Sequence, residues 1–314
     1  MRVLVTGAAG FLGRAVSRAL AARGHEVVAL VHSNGVVPHA SEVLSGDLLI
    51  PGTLRAAVRN IDAVCHLAAA TRVRESFEQP AHYWRLNMTG TLNLLDAVSA
   101  VSTPSQPIRL VLASTAAVYG VPELQPITED VVPVPLSPYG ASKLAADQAT
   151  AQVAALGSIG AVSLRSFNVA GAVDGVPDED LSRVIPRVLA VQIGHATEMV
   201  VNGDGGVVRD YVHVADMAHA FLLALDACEP GAWRAYNVGS GQHVRVADVL
   251  AATEKATGRP VRTRYRPPAN EPEILLADST RIMRELGWQP RRSEISQIVA
   301  DGWNALTGKY STPE

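Results

Sequence analysis

Apolar and polar positions follow two alternating rhythms over the first half of the chain. Arg2 to Val5 is a short, mostly apolar run closed by Thr6 and Gly7, the pattern of a buried strand. In FLGRAVSRALAARGH the residues Phe11, Leu12, Val16 and Leu20 recur at helical intervals, and Gly24 stands where a glycine ends a helix. EVVALV reads as the next strand. The rhythm then repeats: LRAAVRN helical, IDAVCHLAA strand, NMTGTLNLLDAVSA helical, IRLVLAST strand, SKLAADQATAQVAALG helical, AVSLRSFN strand. Alternating units of this kind predict an α/β fold, a doubly wound parallel sheet covered by helices on both faces.

Beyond that point the pattern loosens. Gly, Pro and Asp crowd positions 170–180, and Pro and Arg crowd 259–272. These stretches predict a smaller, loop-rich substrate region at the carboxyl edge of the sheet. The expected division is 1–167 as a dinucleotide-binding part, with 207–240 returning to it, and 168–314 as mainly a substrate-binding part.

Composition narrows the function. With 314 residues, 48% of them apolar, the chain can bury a large core. The formal charge is −3 and no long basic run occurs, which argues against nucleic acid as a partner. Cys65 and Cys228 both lie in apolar surroundings and read as buried free thiols. The N-terminus lacks the apolar run of a signal peptide, and no stretch has a membrane span's length, so a cytoplasmic protein is expected. His66 and His213 lie within apolar strands and read as core or motif residues. No pair of histidines has metal-ligand spacing.

TGAAGFLG, residues 6–13, carries the first chemistry. A strand runs into Gly7 and a helix starts near Phe11. Gly7 permits a tight turn, Gly10 lets backbone approach a pyrophosphate, and Gly13 lets the helix pack on the strand. The free N–H groups of the helix N-terminus favour an anion. Further along, PYGASK supplies Tyr139 and Lys143, four apart and so on one helix face. A free tyrosine has a pKa near 10, and a neighbouring ammonium favours the phenolate. Tyr139 is therefore a candidate general base. LASTAAVYG places Ser114 and Thr115 at the end of the preceding strand.

The GxxGxxG spacing, the YxxxK pair, and the segments FNVAG, RDYVHVAD and YNVGSG together resemble the extended short-chain dehydrogenase/reductase family. Within it the chain resembles the NAD-dependent epimerase/dehydratase group acting on nucleotide sugars, from Met1 to about Trp288. The resemblance implies that Gly7, Gly10, Phe11, Leu12 and Gly13 carry the dinucleotide, with His32 near the adenosine ribose and Asp47 and Leu48 bracketing adenine. It places Leu67, Ala68 and Ala69 in a cofactor-covering loop. Asn87 supports the active-site backbone beside the cofactor, and Lys143 holds the nicotinamide ribose. Thr115, Tyr139 and Lys143 are the implied catalytic set, with Thr115 bridging the sugar hydroxyl and the phenol. Arg74, Ser114, Asn168 and Arg209 are implied substrate contacts, the last two on a diphosphate.

The family's reactions divide at the two residues after Thr115. Its dehydratases place an Asp-Glu pair there, whereas this chain has Ala116 and Ala117, which transfer no proton. Oxidation and re-reduction at C4 is what the remaining residues serve. That implies a 4-epimerase of a UDP-hexose or, with Arg74 facing a C6 carboxylate, a UDP-hexuronate. Two departures keep alternatives open. The second strand ends in Val31, followed by His32 and Ser33, where NAD enzymes carry an acid. NAD is the expected cofactor with NADP open, and an NADPH-dependent 4-ketoreductase of a nucleotide deoxysugar is the alternative. The late diphosphate arginine falls on Pro268, with Glu271 beside it and Arg264 and Arg266 as possible substitutes. A homodimer is expected through the YxxxK helix and the helix before it.

Overall fold

A computed structural model describes residues 1–32, 36–269 and 271–308. Five strands follow the first rhythm, β1 (Arg2–Thr6), β2 (Glu26–Val31), β4 (Ala63–His66), β5 (Ile108–Thr115) and β6 (Ile159–Ser166), and a further one, β3 (Glu42–Ser45), falls between β2 and β4. With the strand Trp233–Val238 they form one sheet in the order β3-β2-β1-β4-β5-β6-(233–238). Every pairing in it is parallel. The order reverses between β1 and β4, which opens a crevice at the carboxyl ends of the strands.

Eight helices are used below: α1 (Phe11–Ala22), α2 (Pro51–Ala57), α3 (Val73–Glu78), α4 (Pro80–Tyr83), α5 (Gly90–Ser99), α6 (Pro138–Ala154), α7 (Val184–Gln192) and α8 (Val214–Asp226). A π-helical turn, Trp84–Thr89, joins α4 to α5. Successive strand residues point to opposite faces, and each face has its own core. Val3 and Val5 pack with Val16 and Leu20 of α1 and with Phe221 and Leu225 of α8. Leu4 packs on the other face with Leu54 of α2, Leu94 and Val98 of α5, and Ala146 of α6. Strands that are covered on both sides carry mostly apolar residues, which is why they read as near-continuous runs.

The loosely patterned half holds short strands rather than plain loops. Met199–Asn202 pairs with Thr263–Arg266, Val208–Arg209 pairs with both Val244–Arg245 and Ile274–Leu275, and Asn168–Ala170 pairs with Tyr211–His213. A third core sits here, around Ile185, Val188, Leu189 and Ile298. The edge strand β3 is a departure from the sequence reading. Three of its four residues are exposed, so no hydrophobic period marks it. Cys65 and Cys228 are buried and free, and burial raises both thiols, Cys228 to about 12. Among the described residues no helix is long and apolar enough to cross a membrane, and no acidic, histidine or cysteine cluster could hold a metal ion.

Candidate active site

The crevice is floored by the glycine turn. Gly7 has φ +70°, and a Cβ there would lie 2.8 Å from the Ala68 amide nitrogen. A Cβ on Gly13 would lie 2.1 Å from the Gly7 carbonyl oxygen, so α1 meets the turn at a distance only glycine permits. Gly10 caps α1 by backbone alone, and its amide donates to Gly7 O at 3.0 Å. No side chain takes up the N–H groups of the first turn of α1, where Phe11 and Leu12 stand half-buried. A helix end in this condition receives an anion. The cradle thus has the bare backbone that a pyrophosphate requires.

At the end of β2, the exposed His32 places Nδ1 3.7 Å from Asp47 Oδ2. Asp47 Oδ1 accepts the Leu49 amide at 2.8 Å, and Leu48 is buried with its carbonyl accepting from Asn93 Nδ2. Ser33 lies outside the described residues.

A chain of hydrogen bonds that the sequence did not announce holds the loop after β4. Thr6 Oγ1 accepts the amides of Leu67 and Ala68, both at 3.2 Å, and lies 2.7 Å from His66 Nδ1. His66 Nε2 lies 3.0 Å from Thr91 Oγ1, which donates to the Asn87 carbonyl at 2.6 Å. Because Thr91 spends its proton on that carbonyl, His66 must donate from Nε2 and accept at Nδ1. Burial holds the imidazole neutral, with its pKa down to about 3, and the Lys143 charge adds to that. Asn87 clasps the same loop: its Oδ1 accepts the Ala70 amide and its Nδ2 donates to the Ala70 carbonyl and to Ser142 Oγ. Ala69 lies within the segment fixed in this way.

The candidate tyrosine–lysine pair sits at the start of α6. Pro138 occupies the first turn and Ser137 Oγ caps it, accepting the Gly140 amide at 3.1 Å. Tyr139 and Lys143 are both buried, at 9% and 2% exposure. Thr115 Oγ1 accepts the Ala117 amide at 3.2 Å and also hydrogen-bonds the Tyr139 phenol. Ser114 Oγ donates to Asp147 Oδ2, so it turns toward the helix. The Tyr83 ring meets Tyr139 edge-on, with centroids 6.3 Å apart, and its hydroxyl accepts the Arg72 amide.

The electrostatics differ from expectation. Burial raises the Tyr139 phenol above its ordinary value, opposed by the Thr115 hydrogen bond and by the charge of Arg183. Lys143 is not the group that draws it down. The lysine is itself lowered to about 8 by burial, with Asp147 opposing. Desolvation penalises both charged forms and dominates where no water reaches.

Around Arg209 lies a lattice of arginines and acids. Arg209, 14% exposed at its side chain, donates to Glu271 Oε2 at 2.7 Å and to the Pro272 carbonyl. Glu271 Oε1 accepts from Asn202 Nδ2, whose Oδ1 in turn accepts from Arg266 Nε at 2.5 Å. Arg266 therefore stands within this group, whereas Arg264 pairs with Glu198 instead. Asn168 Nδ2 donates to the Asp210 carbonyl. Arg74 is exposed on α3, and its charge with that of Arg266 presses on Arg187 of α7, which burial already lowers. Sequence reasoning missed Arg183 and Arg187. It also missed Arg72, which reaches across to Asp180 at 3.5 Å.

Comparison with known proteins agrees with this architecture. Residues 3–239 match the model of the NAD dependent epimerase/dehydratase family. The chain is 38% identical to UDP-glucose 4-epimerase of Corynebacterium glutamicum, over 96% of this chain and 95% of that protein. It superposes on the UDP-glucose 4-epimerase of Stenotrophomonas maltophila, solved with bound NAD and formylated UDP-arabinopyranose, with a TM-score of 0.90 at 31% identity and 98% coverage of each chain. MoeE5, solved with UDP-glucuronic acid and NAD, gives a TM-score of 0.88 at 30% identity, covering 99% of this chain and all of that one. The chain belongs to the NAD-dependent epimerase/dehydratase family.

Proposed function

We propose that this protein is a nucleotide-sugar 4-epimerase that inverts C4 of a UDP-hexose or UDP-hexuronate through a 4-keto sugar, with NAD held on the glycine cradle. The observation that carries the reading is the hydrogen bond between Thr115 and the Tyr139 phenol, with Lys143 one helical turn further along α6 and two alanines directly after Thr115. The three polar groups can remove and return a hydroxyl proton, and Ala116 and Ala117 leave C5 and C6 untouched. Gly7, Gly10 and Gly13 hold the pyrophosphate, Asp47 and Leu48 the adenosine end, and Leu67, Ala68 and Ala69 the covering loop. When bound, the nicotinamide supplies a hydride acceptor that also returns the hydride, so no net oxidation is required.

Thr115 orients the 4-hydroxyl toward the phenol, and Tyr139 takes its proton. Burial, which raises the phenol, also excludes water that would compete for the proton, and the Thr115 hydrogen bond and the charge of Arg183 favour the ionised form. After the keto sugar turns, Tyr139 gives the proton back on the new face. Arg209 and Asn168 hold the diphosphate through this turn, so the sugar can rotate while the nucleotide stays fixed. The guanidinium group formed by Arg74, Arg187 and Arg266 supports a substrate with added negative charge, which favours including the hexuronates. A homodimer through α5 and α6 fits the apolar Leu92, 41% exposed on α5.

The test is NMR of the purified protein with UDP-glucose, UDP-galactose, UDP-glucuronate and UDP-galacturonate and no added reductant. A new 4-epimer is expected. Tyr139→Phe should slow its appearance by about 10²-fold or more with cofactor still bound. No turnover with any of the four, together with NADPH-dependent reduction of a 4-keto deoxysugar, would replace this reading with a ketoreductase.

A further inference from the structure

The outer edge of the large sheet borders a cavity that the chemistry above does not use. The strand Trp233–Val238 closes the sheet beyond β6, two strands from the one that carries Thr115. One side of it pairs with β6. The other side faces a cavity of about 500 Å³, the size of a small-molecule site. Neither the glycine cradle nor Arg209 contributes to its lining.

Two buried donors open on this space. Asn237 N turns away from β6 and donates to Glu129 Oε1 at 2.8 Å. Backbone N–H groups alternate sides along a strand, so the Ala235 amide turns the same way. Ala235 lines the cavity, and its amide has no acceptor on that side among the described residues. Arg165 of β6 lines it too, although only 4% of that residue is exposed. Its Nε goes to Asp147 Oδ2 at 3.1 Å and its Nη1 to the Tyr119 hydroxyl at 2.9 Å. Nη2 has no acceptor among the described residues and is not sealed in protein, so it opens on the cavity.

The rest of the lining is charged rather than apolar. The helix Thr280–Leu286 brings Arg281 and Arg284, and the edge strand brings Arg234. Two acids, Glu129 and Glu285, stand among the four guanidinium groups, and both are engaged. Glu129 is buried, holds the Asn237 amide with one oxygen and meets Arg281 Nε at 3.5 Å with the other. Glu285 accepts the Tyr236 hydroxyl at 2.9 Å and Arg284 Nη2 at 3.0 Å, and stands 3.8 Å from Arg234. The other acids on these arginines lie off the lining: Asp147 pairs with Arg165, and the exposed Asp130 with Arg281. Inside the cavity positive charge is therefore in excess.

We propose that this cavity binds a small oxyanion of two or more charges, with Arg165 Nη2 and the Ala235 amide as its buried donors and the exposed Arg234 and Arg284 as the cations that draw it in. Phosphate and clustered carboxylates share this chemistry, since both present oxygens that match the guanidinium fork. The apolar body of an ordinary small-molecule ligand finds little to rest on here.

Calorimetry of the purified protein loaded with NAD and UDP tests this, with pyrophosphate as the phosphate probe and citrate as the carboxylate probe. The two nucleotides occupy the glycine cradle and the diphosphate site proposed above. Saturable binding of at least one probe is expected. Pyrophosphate alone would assign a phosphate compound, citrate alone a carboxylate compound, and both the shared chemistry. Arg165→Gln should abolish binding. Because that variant leaves Asp147 unpaired and could fail to fold, the exposed pair Arg234→Gln with Arg284→Gln is the second test, expected to weaken binding by about tenfold or more. Arg209→Gln should leave probe binding unchanged, which separates this site from the proposed substrate site. Absence of binding by either probe at millimolar concentration overturns the proposal. So does binding that survives the Arg234 and Arg284 changes, or that is lost in Arg209→Gln.

Discussion

Asn87 and Ala70 exchange two hydrogen bonds, the side-chain amide reading the backbone of the loop as a neighbouring strand would: Ala70 N donates to Oδ1 at 2.8 Å and Nδ2 donates to Ala70 O at 3.0 Å. The same Nδ2 reaches Ser142 Oγ at 3.1 Å, and Ser142 donates to the Tyr139 carbonyl at 2.8 Å. One buried amide thus ties the covering loop to the helix that carries the phenol. Asn87→Ala leaves two backbone groups of Ala70 without partners and should cost about 2–4 kcal/mol of stability, read from urea unfolding. Hydrogen exchange at residues 68–72 should rise more than the global loss accounts for.

Gly13 and Gly52 form a contrast. A Cβ at Gly13 would meet Gly7 O at 2.1 Å, whereas at Gly52, inside α2, it meets nothing within 4 Å. Gly13→Ala should displace the turn and abolish dinucleotide binding in calorimetry. Gly52→Ala should bind normally and be more stable by about 0.5–1 kcal/mol, since it removes a flexible residue from a helix.

His66 makes stability depend on acid. Its folded pKa is about 3 and its unfolded value near 6.5, so the unfolded chain binds the extra proton between these limits. Stability is intact above 6.5 and falls as the pH drops toward 3. Between pH 7 and pH 5 this one group should remove about 2 kcal/mol. His66→Gln should be less stable at pH 7, having lost the links to Thr6 and Thr91, yet show a flatter curve across that interval. An identical slope in both proteins would show that His66 does not carry the effect.

Glu271 holds Arg209 in an ion pair that, under the proposed function, a substrate diphosphate would share. Glu271→Gln keeps the shape and removes the charge, so Arg209 is freer to meet phosphate. UDP affinity by calorimetry should rise several-fold, and Arg209→Gln should lower it by about tenfold or more. Weaker binding in Glu271→Gln would mean that the acid orients the arginine rather than competing for it.

Much of this was legible in the chain. β1, β2, β4, β5 and β6 are buried on both faces and so read as mostly apolar runs, and a glycine at a positive φ, such as Gly7, has little alternative meaning. Tyr139 and Lys143 lie on one helix as their spacing predicted, because four residues make one helical turn. What stayed hidden has physical reasons. β3 lies at the edge with most of its side chains in water, so it shows no period. The strands after Ala170, apart from Trp233–Val238, are two to four residues long, too short to carry one. Thr6, His66 and Thr91 are 60 and 25 residues apart, and only the parallel register of β1 on β4 turns them into one hydrogen-bonded line. The expected influence of Lys143 on Tyr139 failed because spacing reveals proximity but not dehydration.

The strand Trp233–Val238 arrives 67 residues after β6 ends at Ser166 and pairs with it along six positions. Seven of the eight residues of β6 are buried. Until that late segment docks, β6 is an open apolar edge with unpaired amides and carbonyls, a template for joining any other exposed strand. A fragment cut just after Phe167 would contain the whole glycine cradle and the tyrosine–lysine pair, and it would still clump. The shortest length of this chain that stays in solution is set by closing the sheet, which takes some seventy residues beyond that cut.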